Sequence, residues 1–221
     1  MHIPDGFLSL TICALMYALS LVFLVMSWKK AKNSYSSSVT PLLAVSSAFV
    51  FAAQMINFPI LFGTSGHLVG GTFLAVLLGP YMAILGMTIV LMMQALIFAD
   101  GGLSTFGANV FNMAVIGGLS FFLVKSLTRE SKSSGRFFLT VFAASWLSMV
   151  LGAVACGLQI GFSSLFSEAG GVIVTVPAML FWHMLIGFGE AAITATLLTQ
   201  LKRMPSTVLP SFAIPSGGRL E

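Results

Sequence analysis

Charge is what this chain has least of. Of its 221 residues, six are Asp or Glu and ten are Lys or Arg, together 7%. A soluble globular domain carries roughly a quarter charged residues, so this composition cannot cover an ordinary water-facing surface. Cysteine is scarce too, with two residues. Cys13 and Cys156 both fall inside apolar runs, which excludes a disulfide framework and a cysteine-rich zinc site. No Gly-x-x-x-x-Gly-Lys-Ser/Thr segment is present, so the chain has no phosphate loop with which to hydrolyse ATP. The apolar runs lack period-two alternation, which excludes an outer-membrane barrel. No basic stretch precedes the first of them, so no cleaved leader is expected and Met1 is expected to be the mature terminus.

Hydrophobic residues are abundant, at 57% with a mean hydropathy of +1.02. They fall into seven segments, at about 8–28, 40–56, 67–79, 81–99, 106–125, 137–161 and 176–201. Such runs predict an all-α integral membrane protein of about seven transmembrane helices. The run from Leu68 to Ala99 is interrupted at Gly79-Pro80. An unbroken helix there would reach about 48 Å against a hydrocarbon core of about 30 Å, so a turn is expected at Gly-Pro. The short third segment is expected to be tilted, or to cross only in part with support from its neighbours. With seven crossings and the N-terminus outside, all ten Lys and Arg fall on the cytoplasmic side, as the positive-inside rule requires. This predicts a membrane domain over 1–203 and a flexible cytoplasmic tail over 204–221.

Met1-His2 carries the sharpest chemical signal. A free α-amine, the amide nitrogen of His2 and its Nδ1 can close a five- and a six-membered ring on one metal. Three nearly coplanar nitrogens leave one in-plane position, a geometry that suits Ni(II) or Cu(II). The other histidines, His67 and His183, are candidates for it. His67 follows the small residues Gly63-Thr64-Ser65-Gly66 on the same outer face, and a ligand role is favoured. His183 lies inside the last segment, seven residues before Glu190, and a structural hydrogen bond is preferred for it. Glu190 could pair with a polar group such as Gln94 or Asn112. Asp5, Asn57, Asp100, Asn109 and Asn112 are candidates to orient the histidines, or equally to satisfy loop backbone. Ala14 and Ala18 form a small-x-x-x-small pair, a weak sign of a partner surface.

Met1-His2-Ile3-Pro4-Asp5-Gly6-Phe7-Leu8 resembles the N-terminal signature of the CbiM/NikM family, the substrate-binding S components of energy-coupling-factor transporters for cobalt and nickel. Ser65 to Gly71, Gln94 to Gly102 and Gly107 to Met113 match it in order, and His183 to Glu190 is similar to its last helix. The resemblance implies a seven-helix fold with the N-terminus in a central outward-facing metal pocket. It implies a metal held by the amine of Met1, two nitrogens of His2 and an imidazole nitrogen of His67, which selects His67 over His183. It further implies import of Ni(II) or Co(II) through a bacterial or archaeal cell membrane, with no resident cofactor. Partners would be a transmembrane T component, ATPase subunits and a small accessory membrane protein. Met1 directly precedes His2, whereas many cobalt-type members carry a cleaved leader, which leans the reading towards nickel. Two alternatives belong to other classes. One is a rhomboid-type intramembrane serine protease using Ser65 and His183; the other is a stand-alone metal permease that needs no ATPase.

Overall fold

The computed structural model describes residues 1–34, 39–56, 58–60, 64–128, 133–168 and 170–204. A helix occupies each of the seven apolar segments. Helix α1 spans Leu10–Ser34, α2 Thr40–Met55, α3 Gly71–Leu78 and α4 Pro80–Ile97. The fifth segment is α5 (Phe106–Asn109), a π-helical stretch (Val110–Val115) and α6 (Ile116–Thr128) in continuous succession. Helix α7 spans Ser134–Gly161, α8 is the short turn Ser164–Ser167, and α9 runs from Gly171 to Lys202. Five helical runs are long and apolar enough to cross a membrane: α1, α4, the α5–α6 run, α7 and α9. Helix α2, with 16 residues, and α3, with eight, are shorter.

Local chemistry sets the breaks. Gly79 adopts φ +85° and Pro80 opens α4, so the long apolar run does turn at Gly-Pro. Only glycine enters that backbone region at little cost, and proline is tolerated in a first helical turn. All eight residues of α3 are buried. The segment reads as too short for a full span because it is packed inside the bundle. The last segment begins at Gly171 rather than near 176, and α9 carries Pro177 inside it.

One feature departs from the expectation of helices and loops alone. Phe58–Ile60 and Thr64–Gly66 pair as a small antiparallel hairpin, β1 and β2, with Phe58 opposite Gly66. Backbone groups in a short non-helical link still need partners, and here the two arms supply them to each other. The expected tail lies outside the described residues apart from Met204.

Close helix packing rests on glycines. A Cβ on Gly117 of α6 would lie 2.7 Å from the Cα of Gly71 in α3. Gly157 and Gly161 of α7, four apart, meet the backbone of Val172 and Val176 in α9 in the same way. That is the small-x-x-x-small device, used at a different place from Ala14 and Ala18, which are exposed on α1.

Gly117→Ala tests the α3–α6 contact. Alanine gains about 1 kcal/mol of helix propensity, but a methyl group 2.7 Å from backbone forces the helices apart, and overpacking costs typically 1–3 kcal/mol. A lowered thermal unfolding midpoint in detergent is the expected outcome.

Candidate metal centre

The first nine residues form no helix or strand, yet Ile3 and Leu8 are buried. Ile3, Leu8, Cys13, Met16, Ala108 and Cys156 make one apolar cluster that holds this segment at an end of the bundle. Irregular backbone survives in such a place only if its polar groups are matched. Ile3 N–H donates to Asn109 Oδ1 at 2.8 Å. The Ile3 carbonyl accepts from Asn109 Nδ2 at 3.1 Å, Thr105 Oγ1 at 2.5 Å and Gly102 N–H at 2.9 Å. Asp5 accepts from the backbone N–H groups of Leu103 and Ser104 and from the Ser104 hydroxyl. These bonds hold its carboxyl below the usual range, the Ser104 hydroxyl contributing most.

The link between α4 and α5 is shaped to receive the segment. Ala99 has φ +52° and Gly101 φ +89°, so the chain turns sharply on both sides of Asp100. A Cβ on Gly102 would lie 2.3 Å from the backbone nitrogen of Asp5, and one on Gly101 3.4 Å from His2 Cδ2. Neither position has room for a side chain.

Hydrogen bonds fix the tautomers of two imidazoles. A carbonyl oxygen only accepts, so each bond to a carbonyl sets a direction. His67 Nδ1 lies 3.0 Å from the Leu68 carbonyl, so Nδ1 carries the proton and Nε2 the lone pair. Gln54 Nε2 donates to the Val69 carbonyl at 2.6 Å, which turns Gln54 Oε1 towards Gln94 Nε2 at 2.7 Å. Gln94 Oε1 is then left to accept from His2 Nε2–H at 3.0 Å. His2 Nδ1 therefore also carries a lone pair. It faces His67 Nε2 at 3.1 Å, with the ring centroids 4.9 Å apart. Two lone pairs aimed at each other repel unless a cation sits between them.

The electrostatics keep protons off this pair. Burial, helped by the neighbouring α-amine, pushes the His2 imidazole down to about 3. Burial likewise pushes the α-amine of Met1 below its ordinary value. Asp100 Oδ1 lies 3.6 Å from His2 Nδ1, the nearest negative charge to the histidine pair. A cavity of about 320 Å³ adjoins Met1 and His2, closed by Cys156 of α7 and by Met179, Trp182 and His183 of α9.

The family profile described as "Cobalt uptake substrate-specific transmembrane region", CbiM, matches residues 2–208. The chain belongs to the CbiM family. A putative fused nickel transport protein NikMN from Archaeoglobus fulgidus is 39% identical over 97% of this chain and 70% of its own length. A putative metal transport protein from Haloquadratum walsbyi is 41% identical over 91% of this chain and 89% of its own. A crystal structure of a truncated transition metal transporter superposes with a TM-score of 0.79 at 35% identity, covering 91% of this chain and 98% of that one.

Within this CbiM-family fold the candidate residues land as follows. Met1, His2, His67, Asp100 and Asn109 come together, and Asp5 anchors the same segment slightly farther out. Asn57 lies outside the described residues. Asn112 forms a two-way amide pair with Gln159 of α7, at 2.7 and 2.8 Å, and bonds to neither imidazole. His183 Nδ1 donates to Met179 O one turn earlier in its own helix, at 2.8 Å, rather than across to a neighbour. Glu190 bonds neither Gln94 nor Asn112, since both amides are engaged elsewhere; it accepts from the backbone of Val69 and Gly70. Gln54, Gln94 and Thr105 complete the surroundings. The signal for the two glutamines was an uncharged amide inside an apolar run, which is costly to bury unless bonded.

Asn109→Ala removes two bonds to Ile3 at once. Buried hydrogen bonds contribute about 1–3 kcal/mol when a partner is left unmatched. Amide exchange over residues 2–8, followed by mass spectrometry, should quicken roughly five- to a hundredfold, while exchange in α7 stays unchanged.

Proposed function

We propose that this protein is the substrate-capture component of an importer for Ni(II) or Co(II), and that the ion is bound by four nitrogens: the Met1 α-amine, the His2 amide nitrogen, His2 Nδ1 and His67 Nε2. The observation that carries this reading is the pair of lone pairs facing each other at 3.1 Å. Two nitrogens about 2.0 Å from one ion and at right angles are about 2.8 Å apart, so a small approach of His67 completes the arrangement. Among the described residues no three His, Cys, Asp or Glu side chains cluster as metal ligands. A chelate that draws on backbone nitrogens needs no such cluster. The names of the relatives, nickel and metal transport proteins, support the cargo.

The surroundings have separate tasks. Gln94 and Leu68 O set the imidazole tautomers, Asn109 and Thr105 hold the strand of backbone that carries the chelate, and Asp100 offsets the charge of the ion. The cavity between the N-terminal segment and the facing sides of α7 and α9 gives the ion an approach. Seven crossings with the N-terminus outside fit the charge pattern, because no Lys or Arg occurs in 1–9, 98–105 or 162–170. Energy must come from elsewhere, since the chain lacks a phosphate loop. A transmembrane T component, ATPase subunits and a small accessory membrane protein fill that need. No observation favours the protease alternative: His183 Nδ1 donates to Met179 O, and the side chain of Ser65 lies outside the described residues.

Calorimetry with Ni(II) and Co(II) on purified protein tests the site. One residue added before Met1, or His67→Ala, should each abolish tight binding. An extended protein that binds like the native one would sink the N-terminal chelate.

The pH profile follows from the buried groups. With His2 near 3, its imidazole is neutral throughout pH 5.5–8 and releases no proton on binding. The amide must lose one proton at any pH in that range, which weakens binding about tenfold per unit as pH falls. The amine adds a second proton only below its own pKa, which burial places under the ordinary value of about 8. Affinity should therefore fall at least about a hundredfold from pH 7.5 to 5.5, with the slope steepening at the acid end. A flat profile would exclude ligation by the amine and amide.

A further inference from the structure

Among the described residues, Glu190 is the buried carboxylate left without a task by the site described above. It sits in α9 at 4% exposure. Its Oε2 accepts from Val69 N–H at 2.9 Å and its Oε1 from Gly70 N–H at 3.0 Å. Among the described residues no Lys or Arg forms an ion pair with it; the two backbone amides are its recorded partners. Burying a carboxylate on so little is costly, so what the two bonds hold matters.

They hold the link that carries His67. His67 Nδ1 is tied to Leu68 O, Val69 O takes Gln54 Nε2, and Val69 and Gly70 N–H point to Glu190. Gly70 turns into α3 with φ +77°, and a Cβ there would lie 2.8 Å from Val50. Residues 67–70 are thus clamped by α2 through Gln54 and Val50 and by α9 through Glu190. Both clamps act within three residues of the imidazole. Helix α9 also lines the cavity beside Met1 and His2 through Met179, Trp182 and His183. One helix therefore borders both halves of the four-nitrogen set.

We propose that Glu190 is the positioning residue that holds His67 Nε2 opposite His2 Nδ1, so that the availability of the fourth nitrogen is set from α9. The inference rests on the four-nitrogen reading above. The carboxylate is needed rather than an amide because two N–H donors converge on it. A carboxylate accepts from both; an amide accepts from one and points its own N–H at the other. Any shift of α9 that withdraws Glu190 frees Val69 and Gly70 and lets His67 leave the plane, while the covalent chelate at Met1-His2 persists. The ion then passes from four protein nitrogens to three, which is a route to release that leaves the N-terminus in place.

Glu190→Gln tests this with Cu(II) as the probe, because nitrogen hyperfine structure in its electron paramagnetic resonance spectrum counts equatorial nitrogens. Wild type should show four and His67→Ala three. Glu190→Gln, with His67 intact, is expected to show three, with Ni(II) affinity reduced about 10–100-fold. A merely structural role would leave the nitrogen count at four. Glu190→Gln retaining four nitrogens and binding Ni(II) within twofold of wild type overturns the proposal. If Glu190→Gln gives no folded protein, Glu190→Asp carries the test: it keeps charge and both acceptors but withdraws them by one methylene, and the same loss of one nitrogen is expected. Four nitrogens with wild-type affinity in Glu190→Asp likewise overturns it. Failure of the underlying reading looks different. Wild type would then lack four nitrogens, or His67→Ala would leave the count unchanged, and both readings fall together.

Discussion

The peptide of Ile3 is the point on which the site hangs. Its carbonyl takes three donors, from Gly102, Thr105 and Asn109, and its N–H is answered by Asn109. Without those bonds a coil of nine residues would have no reason to enter the bundle, because its own backbone groups would be stranded among apolar side chains. With them, His2 is placed to within the reach of Gln94, and everything else about the imidazole follows from which partner can only accept. Apolar burial of Ile3 and Leu8 supplies adhesion; the amide of Asn109 supplies register.

Charge is handled by the same economy. A dication bound through one ionised amide keeps one positive charge, and Asp100, 3.6 Å from His2 Nδ1, supplies one negative charge. Under the proposed binding the filled site is neutral, which suits a place at the edge of a hydrocarbon phase. The empty arrangement is kept free of protons by burial instead, since a charged imidazole there would lack water to stabilise it. Under the proposed binding, proton competition is governed by one property, the burial of the Met1 amine and the His2 imidazole.

Much of this was legible in the residues. Long apolar runs gave the helices and the Gly79-Pro80 break, and the motifs at 1–8, 65–71, 94–102 and 107–113 carried the family resemblance, which the match over 2–208 bears out. Covalent geometry made Met1-His2 a candidate chelate, and the resemblance, not the spacing, selected His67 over His183 as its partner. The relay through Gln54 and Gln94 was not legible, because an amide in an apolar run can bond anything within reach. The partner of Glu190 was hidden for a related reason: it lies 121 residues away and is backbone, which has no sequence signature. The glycine contacts of α7 were missed because GxxxG spacing recurs by chance and only the neighbouring helix decides its use. The strand pair β1 and β2 carries no alternation to reveal it.

The bond between Ile3 and Asn109 closes a loop of 106 residues. Translation delivers the N-terminus first and residue 109 much later, at roughly 5–20 residues per second. For several seconds the N-terminal segment has neither Asn109 nor the Asp100-Gly101-Gly102 turn to receive it. It must wait outside the bundle until the four helices α1 to α4 have been placed. The N-terminal residues of this chain are thus among the last to fold, and that end of the molecule closes only as assembly finishes.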